Sequence, residues 1–216
     1  MVCRGVFMKI GIMGGTFDPI HNGHLMLAEY AYRQFHLDEV WFMPNGNPPH
    51  KTNDTIESQT TNRVEMVKKA IADKEYFSLQ PYEVENKDVN YSYKTMEHFK
   101  QVYPEHTFYF IIGADSLFSI EKWAHPEIFL RDCVVLAAYR DEKGTDEMLM
   151  QIQYLNKKYG ANIHLLSTPN VDISSSEIRD RIKNSETICE MVPMGVLDYI
   201  KEKQLYKDKE DESNKD

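Results

Sequence analysis

No apolar run in this chain of 216 residues approaches the length of a membrane-spanning helix. The N-terminus also lacks the charged-then-apolar pattern of a signal peptide, so a cytoplasmic protein with no membrane partner is expected. Cysteine is scarce. Cys3, Cys133 and Cys189 are odd in number and show no paired metal-ligand spacing, so they read as reduced thiols, with Cys133 in the core. Basic charge is in deficit: 25 Lys and Arg against 34 Asp and Glu give a net charge of −9. That balance argues against nonspecific nucleic-acid binding, which needs a basic surface. A local cluster of cations inside an acidic protein can still hold a nucleotide. Two glycine signatures are missing as well. Gly11-x-x-Gly14-Gly15 has the wrong spacing for a dinucleotide fingerprint, and no P-loop Gly-Lys-Ser/Thr occurs. There is no internal repeat and no linker long enough to separate two domains.

What remains reads as one domain over residues 8–206. Residues 1–7 precede a second methionine, Met8, and form an extension. Residues 207–216 carry no apolar side chain, and a solvated, disordered tail is expected there. Strand-like runs occupy Lys9–Met13, Glu39–Pro44, Phe77–Tyr82, Thr107–Ile112, Cys133–Tyr139 and Asn162–Ser167. Helical stripes lie between them, one through Leu25, Ala28, Tyr32 and Phe35 and another through Val64, Val67 and Ile71. Further helices fit Ser92–Val102, Asp115–Lys122, Asp146–Tyr159, Ser175–Lys183 and Val192–Lys203. This alternation predicts an α/β fold, a Rossmann-like open and mainly parallel sheet with helices on both faces. Ligands of such sheets bind beyond the carboxyl ends of the strands. The longest polar loop, Asn45–Ser58, has the character of a substrate cover.

The first strand runs into Gly14-Gly15-Thr16-Phe17-Asp18-Pro19-Ile20-His21-Asn22-Gly23-His24, after which a helix begins. Gly14 and Gly15 let the backbone turn sharply and approach a ligand. His21 and His24 are three apart, so near a helix start they project from the same side. Their ring nitrogens can donate to phosphate oxygens, helped by the helix N-terminus. The bland alternative is a pair of structural histidines; a zinc pair is another, but no nearby Cys, His or Glu completes a tetrahedral set. A second segment, Ile173-Ser174-Ser175-Ser176-Glu177-Ile178-Arg179, reads first as a capping box of Ser174 with Glu177 opening a helix. The same hydroxyls and free N–H groups can hold a triphosphate, with Arg179 adding a charge-assisted contact.

Together these two segments resemble the nucleotidyltransferase superfamily marked by a His/Thr-x-Gly-His motif. More narrowly, they are similar to the bacterial nicotinate mononucleotide adenylyltransferases, which make the dinucleotide precursor of NAD. The resemblance runs from Met8 to about Tyr206 and includes Pro48-Pro49-His50-Lys51, Ile111-Ile112-Gly113-Ala114-Asp115-Ser116, Trp123 and Arg140. His21 stands where phosphopantetheine adenylyltransferases have threonine. Where the family reads Ser-Tyr-Thr, this chain has Ser92-Tyr93-Lys94. A backbone role in recognising the ring survives that change, and a lysine there suits a carboxylate.

The resemblance implies transfer of the adenylyl group of ATP to nicotinate mononucleotide, with release of pyrophosphate. It implies His21, His24, Lys51 and Arg179 as catalytic residues. ATP would be held by Gly14, Gly15, Thr16, Phe17, Gly23, His24, Asp115, Ser174, Ser175 and Arg179. The mononucleotide would be held by Thr16, Lys51, Tyr93, Lys94, Trp123 and Arg140. Mg²⁺ would accompany ATP with few protein ligands of its own, and a homodimer is compatible with the family's habits. Taken singly, Lys51 reads as a solvated loop lysine, Asp115 as a helix cap, Trp123 as a core anchor and Arg140 as a surface ion-pair partner. Other functions weighed against this one are adenylyl transfer to nicotinamide mononucleotide or phosphopantetheine, a nucleotide sensor without catalysis, and a flavodoxin-like or dinucleotide-binding redox protein.

Overall fold

The computed structural model describes residues 7–47, 56–86, 88–139, 145–170 and 172–207. The expectations for residues 1–6 and 208–216 and for Lys51 and Arg140 lie outside the described residues. Six strands, β1 (Lys9–Gly15), β2 (Glu39–Pro44), β3 (Phe77–Leu79), β4 (Thr107–Gly113), β5 (Val134–Tyr139) and β6 (Ile163–Ser167), form one sheet in the order β3-β2-β1-β4-β5-β6. Each neighbouring pair is parallel. The order reverses between β1 and β4, and the crevice at such a switch point is where open α/β sheets bind ligands.

The strands are apolar on both sides because helices cover both faces. Alternate residues of each strand enter different cores. Ile10 and Ile12 of β1, Trp41 and Met43 of β2, and Phe108, Phe110 and Ile112 of β4 point to one side. There they meet α4 (Ser92–Val102), α5 (Ala114–Ser119), α6 (Pro126–Asp132) and α7 (Thr145–Tyr159). Met13, Val40, Phe42, Ile111, Val134 and Leu136 point to the other side. That core is closed by α1 (Asn22–Phe35), α2 (Thr60–Ile71), α8 (Ser175–Lys183) and α9 (Met194–Glu202). Gly11 faces this second layer, where a β-carbon would come within 2.8 Å of Leu37. Cys133 is buried as expected, and burial pushes its thiol pKa up.

Prolines account for two departures from the expected elements. The run Phe77–Tyr82 pairs only to Leu79; Pro81, which cannot donate to a ladder, then starts a short helix, α3 (Tyr82–Glu85). The last helix begins at Met194 rather than Val192, because Pro193 stands at its N-cap. The Asp115–Lys122 helix splits into α5 and a 3₁₀ turn at Ile120–Lys122. Helix α6 went unexpected, although Pro126 occupies its first turn as proline often does.

Leu136 is fully buried in β5 between the sheet and the α1 side. Leu136→Ala is expected to cost about 2–5 kcal/mol in urea unfolding, with the folded state's circular dichroism unchanged.

Candidate active site

The carboxyl ends of β1, β2 and β4 open onto a cavity of about 470 Å³. Its walls include Gly14, Thr16 and His24 from the first motif, Met43 and Asn45 after β2, and Phe110 and Gly113 of β4. Tyr91 and Ser92 at the start of α4 and Trp123 beyond α5 complete it.

The first motif is shaped by close packing. A β-carbon on Gly15 would lie 2.9 Å from the Phe17 ring, and one on Gly14 would lie 3.3 Å from Phe110. Phe17 takes the left-handed backbone conformation (φ 53°), which turns the chain out of β1, and its side chain is buried. The Asp18–Pro19 peptide bond is cis. His21 then caps α1 in extended conformation. Its backbone N–H donates to His24 Nδ1 at 3.2 Å, and the two imidazole rings lie 3.7 Å apart between centroids. The Phe17 ring packs edge-on against His24 at 5.1 Å. A β-carbon on Gly23 would press within 3.0 Å of the His21 ring, so glycine lets that ring sit there. Because His24 Nδ1 accepts a hydrogen bond, the proton of the neutral ring is on Nε2. Asn22 is pinned from a distant segment: its N–H donates to Met191 O and its Nδ2 to Glu190 O, both at 2.8 Å.

The second motif meets the first directly. Ser174 caps α8 by accepting from the Glu177 N–H at 3.2 Å. The reciprocal half of the expected capping box is replaced by an ion pair of Glu177 with Arg181 one turn on, at 2.9 Å. Ser175 Oγ donates to Pro19 O at 2.9 Å, so this hydroxyl is committed to joining the motifs. Arg179 donates to Asp18 O at 2.8 Å and to Glu57 Oε1 at 3.1 Å. Lys183 holds the same Glu57 oxygen at 3.0 Å.

Asp18 links these parts. Its carboxylate accepts from the Glu57 N–H at 2.8 Å, from Ser58 Oγ, and from Tyr206 Oη at 2.8 Å. Burial and the Asp18 charge both push the Tyr206 hydroxyl pKa up, which keeps it a donor. Arg63, buried beneath the corner, donates to Thr16 O at 2.7 Å.

Several expected ligand-contacting residues stand elsewhere. Tyr93 packs edge-on against His125 at 4.7 Å and does not border the cavity. Lys94 is exposed, its Nζ 5.7 Å above the Tyr91 ring. Helix geometry explains this, since Lys94 lies two positions, about 200°, around α4 from the cavity-lining Ser92. Asp115 is exposed in the first turn of α5; Gly113 is the N-cap, and Gly113 and Ser116 border the cavity instead. Trp123 is half-buried, borders the cavity and packs 5.2 Å from Phe129, so anchor and wall coincide.

Sequence reasoning missed the wall between β2 and α4. Glu83 is buried there and accepts from Asn45 Nδ2 at 2.9 Å and Thr95 Oγ1 at 2.8 Å. Burial pushes its carboxyl pKa above the usual value, against the lowering effect of the two donors. A lone glutamate in a polar stretch carries no signal of burial. Among the described residues no three His, Cys, Asp or Glu are grouped to hold a metal, and no helix is long and apolar enough to cross a membrane.

Residues 12–181 match the cytidylyltransferase-like family. A protein of Lachnoclostridium phytofermentans named "Probable nicotinate-nucleotide adenylyltransferase" is 43% identical over 193 residues, which are 89% of this chain and 96% of that protein. One of the same name from Clostridium botulinum (strain Alaska E43 / Type E3) is 44% identical, covering 93% of this chain and 98% of its own. Among solved structures, the Plasmodium falciparum nicotinic acid mononucleotide adenylyltransferase complexed with NaAD shares the fold. Its TM-score is 0.76 at 24% identity, over 92% of this chain and 97% of that one.

Two outcomes follow from the buried polar groups. Tyr206→Phe is expected to lower stability by about 1–3 kcal/mol in denaturant unfolding, because it removes a donor from a buried carboxylate. Glu83 has a raised folded-state pKa, so its stabilising share is full below the ordinary carboxylate value of 4.5 and is lost as pH rises through the raised one. Wild type should therefore gain stability relative to Glu83→Gln as pH falls from 7 towards 4.5. A pH-independent difference in melting temperature would contradict this.

Proposed function

The chain belongs to the nicotinate-nucleotide adenylyltransferases of the cytidylyltransferase-like family, and from that premise we propose how its cleft works. The enzyme transfers the adenylyl group of ATP to nicotinate mononucleotide. A phosphate oxygen of the mononucleotide attacks the α-phosphorus, the bond from that phosphorus to the bridging oxygen breaks, and pyrophosphate leaves with the electron pair. Such a reaction asks for positioning and charge stabilisation and needs no covalent enzyme intermediate.

In this reading the His corner is the catalytic centre. The observation that carries it is the His21 N–H bond to His24 Nδ1, which sets the Nε2 proton of a histidine bordering the cavity. His24 Nε2–H donates to an α-phosphate oxygen as charge builds in the transition state. His21, packed against it at a tilt of 31°, holds the ring's direction through its N–H bond to Nδ1. The backbone from Gly14 to Phe17 and Gly23 lies against the nucleotide, where small residues permit close approach. Ser174, Ser175 and the N-terminus of α8 lie against the triphosphate, Ser175 through its backbone N–H because its hydroxyl serves Pro19.

Arg179 neutralises phosphate charge by exchanging Glu57 for a phosphate oxygen while keeping its bond to Asp18 O. Lys51, which lies outside the described residues, is assigned the neutralising of phosphate charge by the family resemblance alone. Gly113 and Ser116, which border the cavity where Asp115 does not, lie on the nucleotide's side of α5. Trp123 offers a face to the pyridine ring, and Arg140 a cation to the acceptor phosphate. Tyr93 and Lys94 contribute backbone only, since neither side chain borders the cavity. Magnesium fits as a companion of ATP. The Asp18 carboxylate is already engaged by three donors, so phosphate oxygens and water would supply most of its ligands.

Pyrophosphate release from ATP and magnesium, measured in parallel with nicotinate mononucleotide, nicotinamide mononucleotide and phosphopantetheine, tests this reading. The acid acceptor should turn over fastest; no turnover with any acceptor would overturn it. His24→Ala should lower turnover by about a hundredfold or more without loss of fold, the scale of a lost oxyanion-hole donor. A near-normal rate would make the histidine structural.

A further inference from the structure

Helix α7 carries an apolar stripe on its outer face. Eight large hydrophobic side chains are exposed among the described residues, and three of them belong to this one helix: Leu149, Met150 at 69% and Tyr154 at 46%. The inner face is already spent, since Met148, Ile152 and Leu155 are buried in the core. At about 100° per residue, Asp146, Glu147, Met150, Gln153, Tyr154 and Lys157 fall within roughly 120° of arc on the side away from those three. Such a cluster on one helix marks an interaction surface more often than scattered apolar residues do.

Charge along the stripe is ordered by sign. Asp146 and Glu147 stand in the first turn, and Lys157 and Lys158 in the last. That order suits the helix dipole, but the dipole gives no reason for the exposed Met150 and Tyr154 between the two ends. Lys158 is paired with Glu121 at 2.6 Å. Asp146, Glu147 and Lys157 are exposed and form no ion pair among the described residues. Tyr154 is held in place, its hydroxyl 3.4 Å from Glu121 Oε1 and its ring 5.3 Å under Lys158 Nζ. A fixed aromatic ring of this kind is a surface that a thioether packs against.

We propose that α7 is a homodimer surface, on which two copies of this chain pack antiparallel across a two-fold axis. Ile152 points into the core, so the stripe is centred at its level on the opposite face. An axis at that level makes each residue meet the one equally far beyond Ile152 on the second copy. Glu147 then faces Lys157 of the second copy, Asp146 faces Lys158, and Met150 faces Tyr154. Gln151 faces Gln153, and no like charges meet. Parallel packing would instead set acid against acid and lysine against lysine. The contact is therefore complementary to itself only in the arrangement that a closed dimer requires. A shallow crossing of about 20° keeps these pairs within reach along roughly 22 Å of helix. One helix pair buries less than the roughly 1,200 Å² of a standard interface, so a weak dimer with a dissociation constant of about 1–100 µM is expected. No residue of α7 borders the cavity, so both clefts stay open in the dimer.

Sedimentation velocity of the full chain from about 5 to 500 µM tests the proposal, with circular dichroism to check the fold of each variant. Wild type should pass from monomer to dimer as concentration rises; a protein that stays monomeric throughout would overturn the proposal. Glu147→Lys alone, or Lys157→Glu alone, sets like charges together twice across the axis, and each should weaken the dimer by about tenfold or more. Mixed in equal amounts, these two variants regain opposite charges at both positions, and a mixed dimer should form with nearly the wild-type dissociation constant. Undiminished dimers in both variants would put the contact elsewhere and overturn the proposal, as would a mixture that does not recover. Met150→Lys places a charge at the apolar centre and should abolish the dimer with no rescue by either partner variant. All three positions are exposed, so each variant is expected to fold. A dimer that survives Met150→Lys would also overturn the proposal.

Discussion

The Asp18 carboxylate is the constraint on which the site depends. It sits buried in the turn between β1 and α1, and three donors converge on it from the chain after the long loop and from the C-terminal segment: Glu57 N–H, Ser58 Oγ and Tyr206 Oη. Its own carbonyl receives Arg179. One residue therefore fastens the turn between β1 and α1 to the chain at Glu57 and Ser58, to α8 and to the last described turn. A buried carboxylate is costly unless it is hydrogen-bonded, and the cost enforces the arrangement. If any one of these segments moved away, a desolvated group would be left unmatched.

With that turn held, the catalytic geometry needs little reorganisation. Strand β1 delivers the glycines, α1 begins at His21, and the His21 N–H orients the His24 ring. Ser175 and Arg179 bind backbone oxygens of Pro19 and Asp18, so α8 is braced against the turn that leads into α1. Glu57 occupies Arg179 and Lys183 in this state. In the proposed reaction incoming phosphates compete with this carboxylate for cations already in position, and Glu57 is itself tethered by its N–H to Asp18. Donors fixed before the substrate arrives stabilise developing charge without paying for their own alignment.

The fold and the meeting of the two motifs were legible because their signals are periodic or dense. Alternating burial on both faces of β1, β2 and β4 follows from continuous apolar runs, and the glycine–histidine turn packs several backbone and side-chain requirements into a few residues. The union of Ser174–Arg179 with that turn was expected from shared chemistry, and it appears as two direct hydrogen bonds. The wall between β2 and α4 was poorly legible. Its wall combines residues distant in sequence, Asn45, Asn47, Glu83 and Asn90, whose polarity reads as ordinary loop until tertiary contacts bury it. Tyr93 and Lys94 were expected at the ligand because Ser92-Tyr93-Lys94 resembles the family's Ser-Tyr-Thr, but the helix turns both side chains away from the cavity. Pro81 and Pro193 shifted element ends by local backbone rules that a hydrophobic pattern does not register.

In the proposed reaction the braced His corner holds and neutralises phosphates while the acceptor attacks directly. The stereochemical course at the α-phosphorus tests this most directly, using ATP made chiral there by a single sulfur. Direct in-line transfer predicts inversion of configuration in the dinucleotide product. Retention would contradict the account, because it would require two displacements and an adenylyl group carried on the enzyme, with a histidine acting as nucleophile rather than as donor.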